Sequence, residues 1–458
     1  MADALLLRAG RIVDPSQGLD SPGAILIEDE RVAAIGSDAM RAAEGRDARV
    51  IDLPAGWVVA PGFVDLHAHL REPGYEGKET IATGARAAAR GGFTTICCMP
   101  NTNPVLDSAA MLDSLLDRAR GVPARVRPIA AITRGEEGRE LTEMMELAEA
   151  GAVAFSDDGR PVSSGRMMRL AMQYATPLGL PLVEHCQDED LVGAGVMHEG
   201  AISTLLGLRG WPAAGEEVML ARDLTLVRET GARYHAAHLS TAGSVALIRQ
   251  AKTEGLPVTA EVTPHHLLLT DEWVAGERAG PLAGALGELG LMVPAGVRFD
   301  TSAKVNPPLR SNDDCAALLA GLLDGTIDAI ATDHAPHTAV DKDCEFAEAA
   351  FGISGFETAL AALLALVHAG RLPLATLIGA LTERPARAWN LDAGTLKPGA
   401  LADLVIFDPD EEWTVDPARF ASKGRNTPLA GLTLRGRVRM TLLGGAMVYD
   451  ASAAEPNG

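Results

Sequence analysis

His67 and His69 are separated by one alanine in the stretch 58–73, VVAPGFVDLHAHLREP, and histidines two apart on a strand turn their imidazoles to the same side. The apolar and β-branched residues from Val58 to Leu66 predict a buried strand leading into them. Such a pair can hold one metal ion, while a pair of packed core histidines is the plainer alternative. Two residues on, Arg71 adds a fixed positive charge whose fork matches a carboxylate. Further along stand Asn101, Asp157-Asp158, His185, His238 and Asp333. Nitrogen and oxygen donors without a thiolate suit borderline or hard divalent ions.

The elements that must position these residues are strand-like apolar runs alternating with Ala-rich helical stretches. Eight runs occur, at 63–70, 94–101, 126–133, 152–158, 181–186, 234–240, 258–269 and 326–337. Ser108 and Gly121 bracket one helix, with Met111, Leu112, Leu115, Leu116 and Ala119 at helical spacing. Eight such units predict an α/β fold, a (β/α)8 TIM barrel whose chemistry sits at the C-terminal ends of its strands. The candidate residues stand at those exits, and the strand interiors read as nearly free of charge. Alternatives stay open residue by residue. Asp157-Asp158-Gly159 also reads as a strand-ending turn, and Cys186 as packing. His235 reads as structural, with His238 nearer the strand exit. His265 and His266 read as supporting residues on strand seven, and His198 and His368 as helical positions without functional weight.

Short strands and turns in 4–57 return near the other end, predicting a small flanking β-sandwich domain built from both termini, 1–57 together with 391–458, around a barrel at 58–390. The apolar fraction is 47% with only 4% aromatic residues, a composition for an Ala/Leu/Val/Ile core. A net charge of -21 argues against nucleic acid and anionic membranes as partners. Five cysteines without metal-ribbon spacing predict no disulfide framework and a cytoplasmic location. No stretch reaches the ~18 apolar residues of a spanning helix. Residues 271–303 hold a long Gly/Ala-rich segment, expected to be a lid, a partner surface or a disordered excursion.

The motifs GFVDLHAHLREPG, MPNTNP, FSDDG, EHC, HLST, TPHHLLLT, KVNPPLR and ATDHAPH, in this order, resemble those of the cyclic amidohydrolases, and most of all the long bacterial dihydroorotase family. The resemblance runs from about residue 4 to 450 and includes the terminal β pieces. It implies two divalent ions, zinc by family expectation, with His67, His69 and Asp333 on the first and His185 and His238 on the second. Many relatives bridge the ions with a carboxylated lysine, but no lysine occurs between Lys78 and Lys252. The resemblance puts Asp158 there, with Asp157 as fallback. It further implies that water acidified between the ions opens the cyclic amide of dihydroorotate to N-carbamoyl-L-aspartate, reversibly, in pyrimidine biosynthesis. Asp333 would be the proton carrier. Arg71, Asn101 and His337 would hold the substrate carboxylate, Asn306 the ring, and Phe351 and Gly352 (with Gly355) the pocket wall. A homodimer and association with aspartate transcarbamoylase are the expected assemblies. The competing readings are a dihydropyrimidinase, hydantoinase or allantoinase, and a non-catalytic dihydroorotase-like subunit of the transcarbamoylase.

Overall fold

The computed structural model of the chain describes residues 4–453, so the outermost ends of the expected terminal domain lie outside the described residues. Strands β1 (Ala4–Asp14), β2 (Leu19–Glu28), β3 (Arg31–Ile35), β4 (Ala48–Asp52) and β5 (Val58–Pro61) come first. They join β16 (Leu404–Thr414), β17 (Thr433–Leu443) and β18 (Ala446–Asp450) in one eight-stranded sheet. Its order is β18-β17-β16-β5-β1-β2-β3, with β4 beside β1.

Between these ends lies a second eight-stranded sheet, in which every pairing is parallel. Its strands are β6 (Phe63–Ala68), β7 (Phe93–Cys98), β8 (Arg125–Ala130), β9 (Ala154–Phe155), β10 (Leu182–Glu184), β13 (Tyr234–Ala236), β14 (Val258–Val262) and β15 (Ala329–Ile330). The two-residue strands β11 (Met197–His198) and β12 (Gly210–Trp211) pair apart from it, so His198 lies on a strand rather than a helix. Sheet order follows chain order, and helices connect the strands, giving a (β/α)8 barrel with a flanking β-rich domain.

The barrel closes where β15 runs out towards β6. Ala68 bridges His334, and the His69 amide donates to the His334 carbonyl at 2.9 Å. Asp65 stitches the same seam, accepting from the Thr332 amide at 2.8 Å and the Thr332 hydroxyl at 2.6 Å. Val64, Leu66, Cys97, Ile129, Ala154, Val183 and Ala329, from six of the strands, pack together with Trp389 as the filled barrel interior. The two domains meet through the bidentate Arg125–Asp403 pair, at 2.9 and 3.1 Å, and through the Thr441 hydroxyl donating to the Ala89 carbonyl at 2.7 Å.

Several expectations need correction. The single strand from Val58 to Leu66 is two strands in different sheets, broken at Gly62, where a Cβ would lie 2.2 Å from the Thr94 hydroxyl. Strand seven stops at Val262. Pro264, favoured in a first helical turn, opens the short helix Pro264–Leu268 under a Thr263 cap, so His265 and His266 are helical. The strand interiors are not free of charge, because Asp65, Glu184 and Glu261 are all buried within them. Segment 271–303 is structured, with the 3-10 turn Asp271–Ala275, the helix Pro281–Glu288 and a second turn at Thr301–Ala303. Trp273 anchors it, buried and donating its indole N–H to the Ala279 carbonyl at 2.7 Å.

Candidate metal centre

The strand exits bring His67, His69, Asp158, His185, His238 and Asp333 together, each nine-tenths or more buried. His67, Asp158 and His238 offer donor atoms within 4.8 Å of one another, and so do His67, His69 and Asp333. His67 Nε2 lies 3.5 Å from Asp158 Oδ1 and 3.6 Å from Asp333 Oδ1. His69 Nε2 lies 3.1 Å from Asp333 Oδ1 and 3.5 Å from Asp158 Oδ2. His185 Nδ1 and His238 Nε2 are 2.9 Å apart and face Asp158 Oδ1 at 3.9 and 3.8 Å. Asp158 is therefore shared between both histidine pairs. Asp157, its neighbour, is turned away: its Oδ1 accepts from the Ile132 and Thr133 amides at 2.8 and 3.0 Å, and its Oδ2 from the Thr133 hydroxyl.

Three of the four imidazoles are oriented from behind. Glu261 Oε1 accepts from His67 Nδ1 at 2.8 Å, Asn101 Oδ1 from His69 Nδ1 at 3.0 Å, and Gln187 Oε1 from His185 Nε2 at 2.9 Å. A proton fixed on the rear nitrogen leaves the front lone pair bare, as a metal ligand requires. Two front atoms, His67 Nε2 and Asp158 Oδ1, are buried without any hydrogen-bond partner among the described residues. Buried polar atoms are rarely left so, and here the missing partner is one that accepts lone pairs. The donor set fits divalent cation binding, in two overlapping groups of three residues that share His67.

Electrostatics agree. Burial raises Asp158, yet His67, His238 and His69 outweigh it and hold the carboxyl well below its usual range. Burial pulls His67 down, but Asp158, Glu261 and Asp333 carry it well above an ordinary histidine. Burial and the adjacent His238 push His185 down to about 4. The site thus concentrates negative charge that a cation would neutralise. Arg71, His238 and Asp333 all adopt positive φ, at 63°, 30° and 45°. Backbone of this kind is uncommon outside glycine and clusters at functional sites.

The residues expected to hold substrate divide into two groups. Arg71 is partly buried and, among the described residues, forms no ion pair; its Nε reaches the Pro336 carbonyl at 3.4 Å and its Nη2 lies 3.3 Å from His337 Nε2. Asn306 has a buried Oδ1 with no partner among the described residues. The others are committed elsewhere. Asn101 gives its carbonyl to His69 and its amide N–H to Asp158. His337 donates to the Phe351 carbonyl at 2.7 Å and accepts from Lys78 Nζ at 3.2 Å. Gly352 donates its amide to the Lys304 carbonyl at 2.8 Å, and a Cβ there would meet Ala335 at 2.6 Å. Sequence reasoning missed Glu261 and Gln187. The signal for Glu261 was a lone carboxylate inside an otherwise apolar strand, since buried charges are nearly always paired.

An amidohydrolase family model matches residues 209–449, and a dihydro-orotase-like family model matches residues 56–244. The dihydroorotase of Anaeromyxobacter sp. is 53% identical over 99% of this chain and 100% of its own length. The chain belongs to the dihydroorotase family of amidohydrolases. The dihydroorotase of Pelotomaculum thermopropionicum is 51% identical over 97% of this chain and 98% of that protein. Among solved structures, the L-hydantoinase (dihydropyrimidinase) of Arthrobacter aurescens superimposes with a TM-score of 0.83 at 25% identity, covering 100% of this chain and 98% of that one. Family membership makes the chain a metal-using hydrolase, and no helix among the described residues is long and apolar enough to cross a membrane.

Proposed function

We propose that the chain hydrolyses the cyclic amide of (S)-dihydroorotate to N-carbamoyl-L-aspartate, reversibly, using two divalent ions that family expectation makes zinc. His67, His69 and Asp333 would hold one ion, His185 and His238 the other, with Asp158 shared. When bound, the ions supply Lewis acidity to water and to the amide carbonyl.

The chain's own residues do the rest. Arg71 is the observation that carries the substrate assignment: a guanidinium beside the cluster that has no carboxylate partner among the described residues, matching the carboxylate that distinguishes dihydroorotate from dihydrouracil. Lys78, 3.2 Å from His337 Nδ1, is already paired with Asp341 at 3.4 Å, which leaves Arg71 as the cation for the substrate. Asn306 Oδ1, an acceptor without a donor, suits a ring N–H. Asp333 would take the proton of the attacking water at a carboxylate oxygen and return it to the departing ring nitrogen. His67 and His69 hold Asp333 ionised, as a base must be.

Residues 58–390, less the strand Val58–Pro61 that pairs in the terminal sheet, are proposed as the catalytic unit and the two terminal segments as its flanking domain. A homodimer is proposed as the assembly, a cytoplasmic location as its setting, and association with aspartate transcarbamoylase as an addition to activity. Turnover of dihydroorotate against dihydrouracil, hydantoin and allantoin tests the reading. Preference for dihydroorotate supports it, and preference for an uncharged ring overturns it.

A further inference from the structure

We infer that Gln187 is a positioning residue that ties metal binding to ring recognition through one oxygen atom. Its Oε1 lies 2.9 Å from His185 Nε2 and accepts from Asn306 Nδ2 at 2.9 Å. An amide oxygen has two lone pairs and no proton, so both contacts are filled by donors. The first fixes the His185 proton on Nε2 and leaves Nδ1 bare towards His238 and Asp158. The second draws the Asn306 amide nitrogen backwards and so turns its carbonyl oxygen away, buried and unpartnered. Asn306 can then offer substrate only an acceptor, and its complement is a ring N–H. The ring-recognition half of this inference rests on the dihydroorotase reading; the metal half does not.

The surroundings isolate the effect in the Gln187 side chain. Its backbone N–H is held separately by Met219 Sδ at 3.2 Å, and the next residue, Asp188, caps the following helix through the Leu191 amide at 3.1 Å. The loop carrying Asn306 has its own anchor, His266 Nε2 donating to the Pro307 carbonyl at 2.9 Å while His266 Nδ1 accepts from the Thr263 hydroxyl at 2.8 Å. Removing the Gln187 oxygen therefore frees two side chains without freeing either backbone.

The test uses metal-free full-length protein titrated with Co2+ and followed by its absorption spectrum, for the wild type, Gln187→Leu and Gln187→Glu. The expected result is two cobalt equivalents in the wild type and a second-site affinity roughly tenfold to a hundredfold weaker in Gln187→Leu, as for other residues that orient ligands. An unchanged first equivalent shows that the variant is folded. Gln187→Glu, whose carboxylate accepts from the same two donors, restores the second site. In steady-state kinetics, Asn306→Ala raises KM for dihydroorotate in the wild type and much less in the Gln187→Leu background, because the asparagine there is already unaligned. Undiminished second-site affinity in Gln187→Leu overturns the metal half. An equal KM increase in both backgrounds overturns the recognition half. Wild-type protein inert towards dihydroorotate, with the cobalt result intact, overturns the substrate reading and the recognition half, and upholds the metal half.

Discussion

Glu261 Oε1 lies 2.8 Å from His67 Nδ1, and its other oxygen lies 3.1 Å from His235 Nε2, so one buried carboxylate behind the cluster orders both imidazoles. The Thr259 hydroxyl lies 2.7 Å from His235 Nδ1 and completes the chain. Burial alone would raise Glu261, but its hydrogen bonds from His235 and His67 bring it down to about 2, so it is ionised throughout the physiological range. It is the counterpart, for His67, of what Asn101 and Gln187 are for His69 and His185.

Glu261→Gln tests that role. An amide presents one acceptor where the carboxylate presents two, so one of the two histidines loses its partner. Metal affinity should fall roughly tenfold to a hundredfold, with the apo fold retained. Equilibrium dialysis against a competing chelator measures it, and unchanged affinity would show that His67 needs no orientation.

Asp333→Asn removes the proposed proton carrier. Turnover should fall by about two to four orders of magnitude, the usual worth of a placed acid or base. Dihydroorotate should still bind in a calorimeter. Because Asp333 is also a proposed ligand, the comparison is made at matched metal content. A near-normal rate there would move proton transfer to another group.

Arg71→Met separates the substrates. A desolvated carboxylate without its partner loses about 2 to 5 kcal/mol, which is roughly 30-fold to several thousand-fold in kcat/KM for dihydroorotate. Dihydrouracil, which has no carboxylate, should be affected far less. Equal losses on both would favour a dihydropyrimidinase.

Glu136 predicts a pH effect on stability. It is buried on the loop after β8, at φ 54°, with Oε1 unpartnered; burial first, then Asp157 and Asp158, push its carboxyl up to about 9. Because the folded pKa lies above the unfolded one, the folded metal-free protein binds more protons between about pH 4.5 and 9. This group's contribution is thus greatest in acid and declines as pH rises through that window, by up to about 1.4 kcal/mol per pH unit. Glu136→Gln should gain on the wild type with rising pH in denaturant titrations of apo protein. Parallel profiles would show that the carboxyl is not raised.

Most of the candidate site was legible in the sequence because candidate ligands and strands share a rule: the six metal candidates stand where apolar runs end, and the barrel places those ends together. What stayed hidden depended on partners far apart in the chain. Asp65 and Thr332 are joined only by barrel closure, and Gln187 and Asn306 only by the meeting of two loops. The choice between Asp157 and Asp158 was open because adjacent strand residues face opposite ways; the Ile132 and Thr133 amides claim the first and leave the second facing the histidines. The break at Gly62 was masked by apolar residues on both sides, which periodicity reads as one strand. Asn101 and His337 look uncommitted in sequence, but their side chains are occupied by His69, Asp158, Phe351 and Lys78.

The central claim is that His67, His69, Asp158, His185, His238 and Asp333 form one two-ion centre on which turnover depends. Metal content and dihydroorotate hydrolysis, measured on the same sample before chelation, after it and after zinc is restored, test this most directly. Two divalent ions per chain, activity lost with them and regained on reloading, is the predicted result. Full turnover by protein stripped of metal would contradict it.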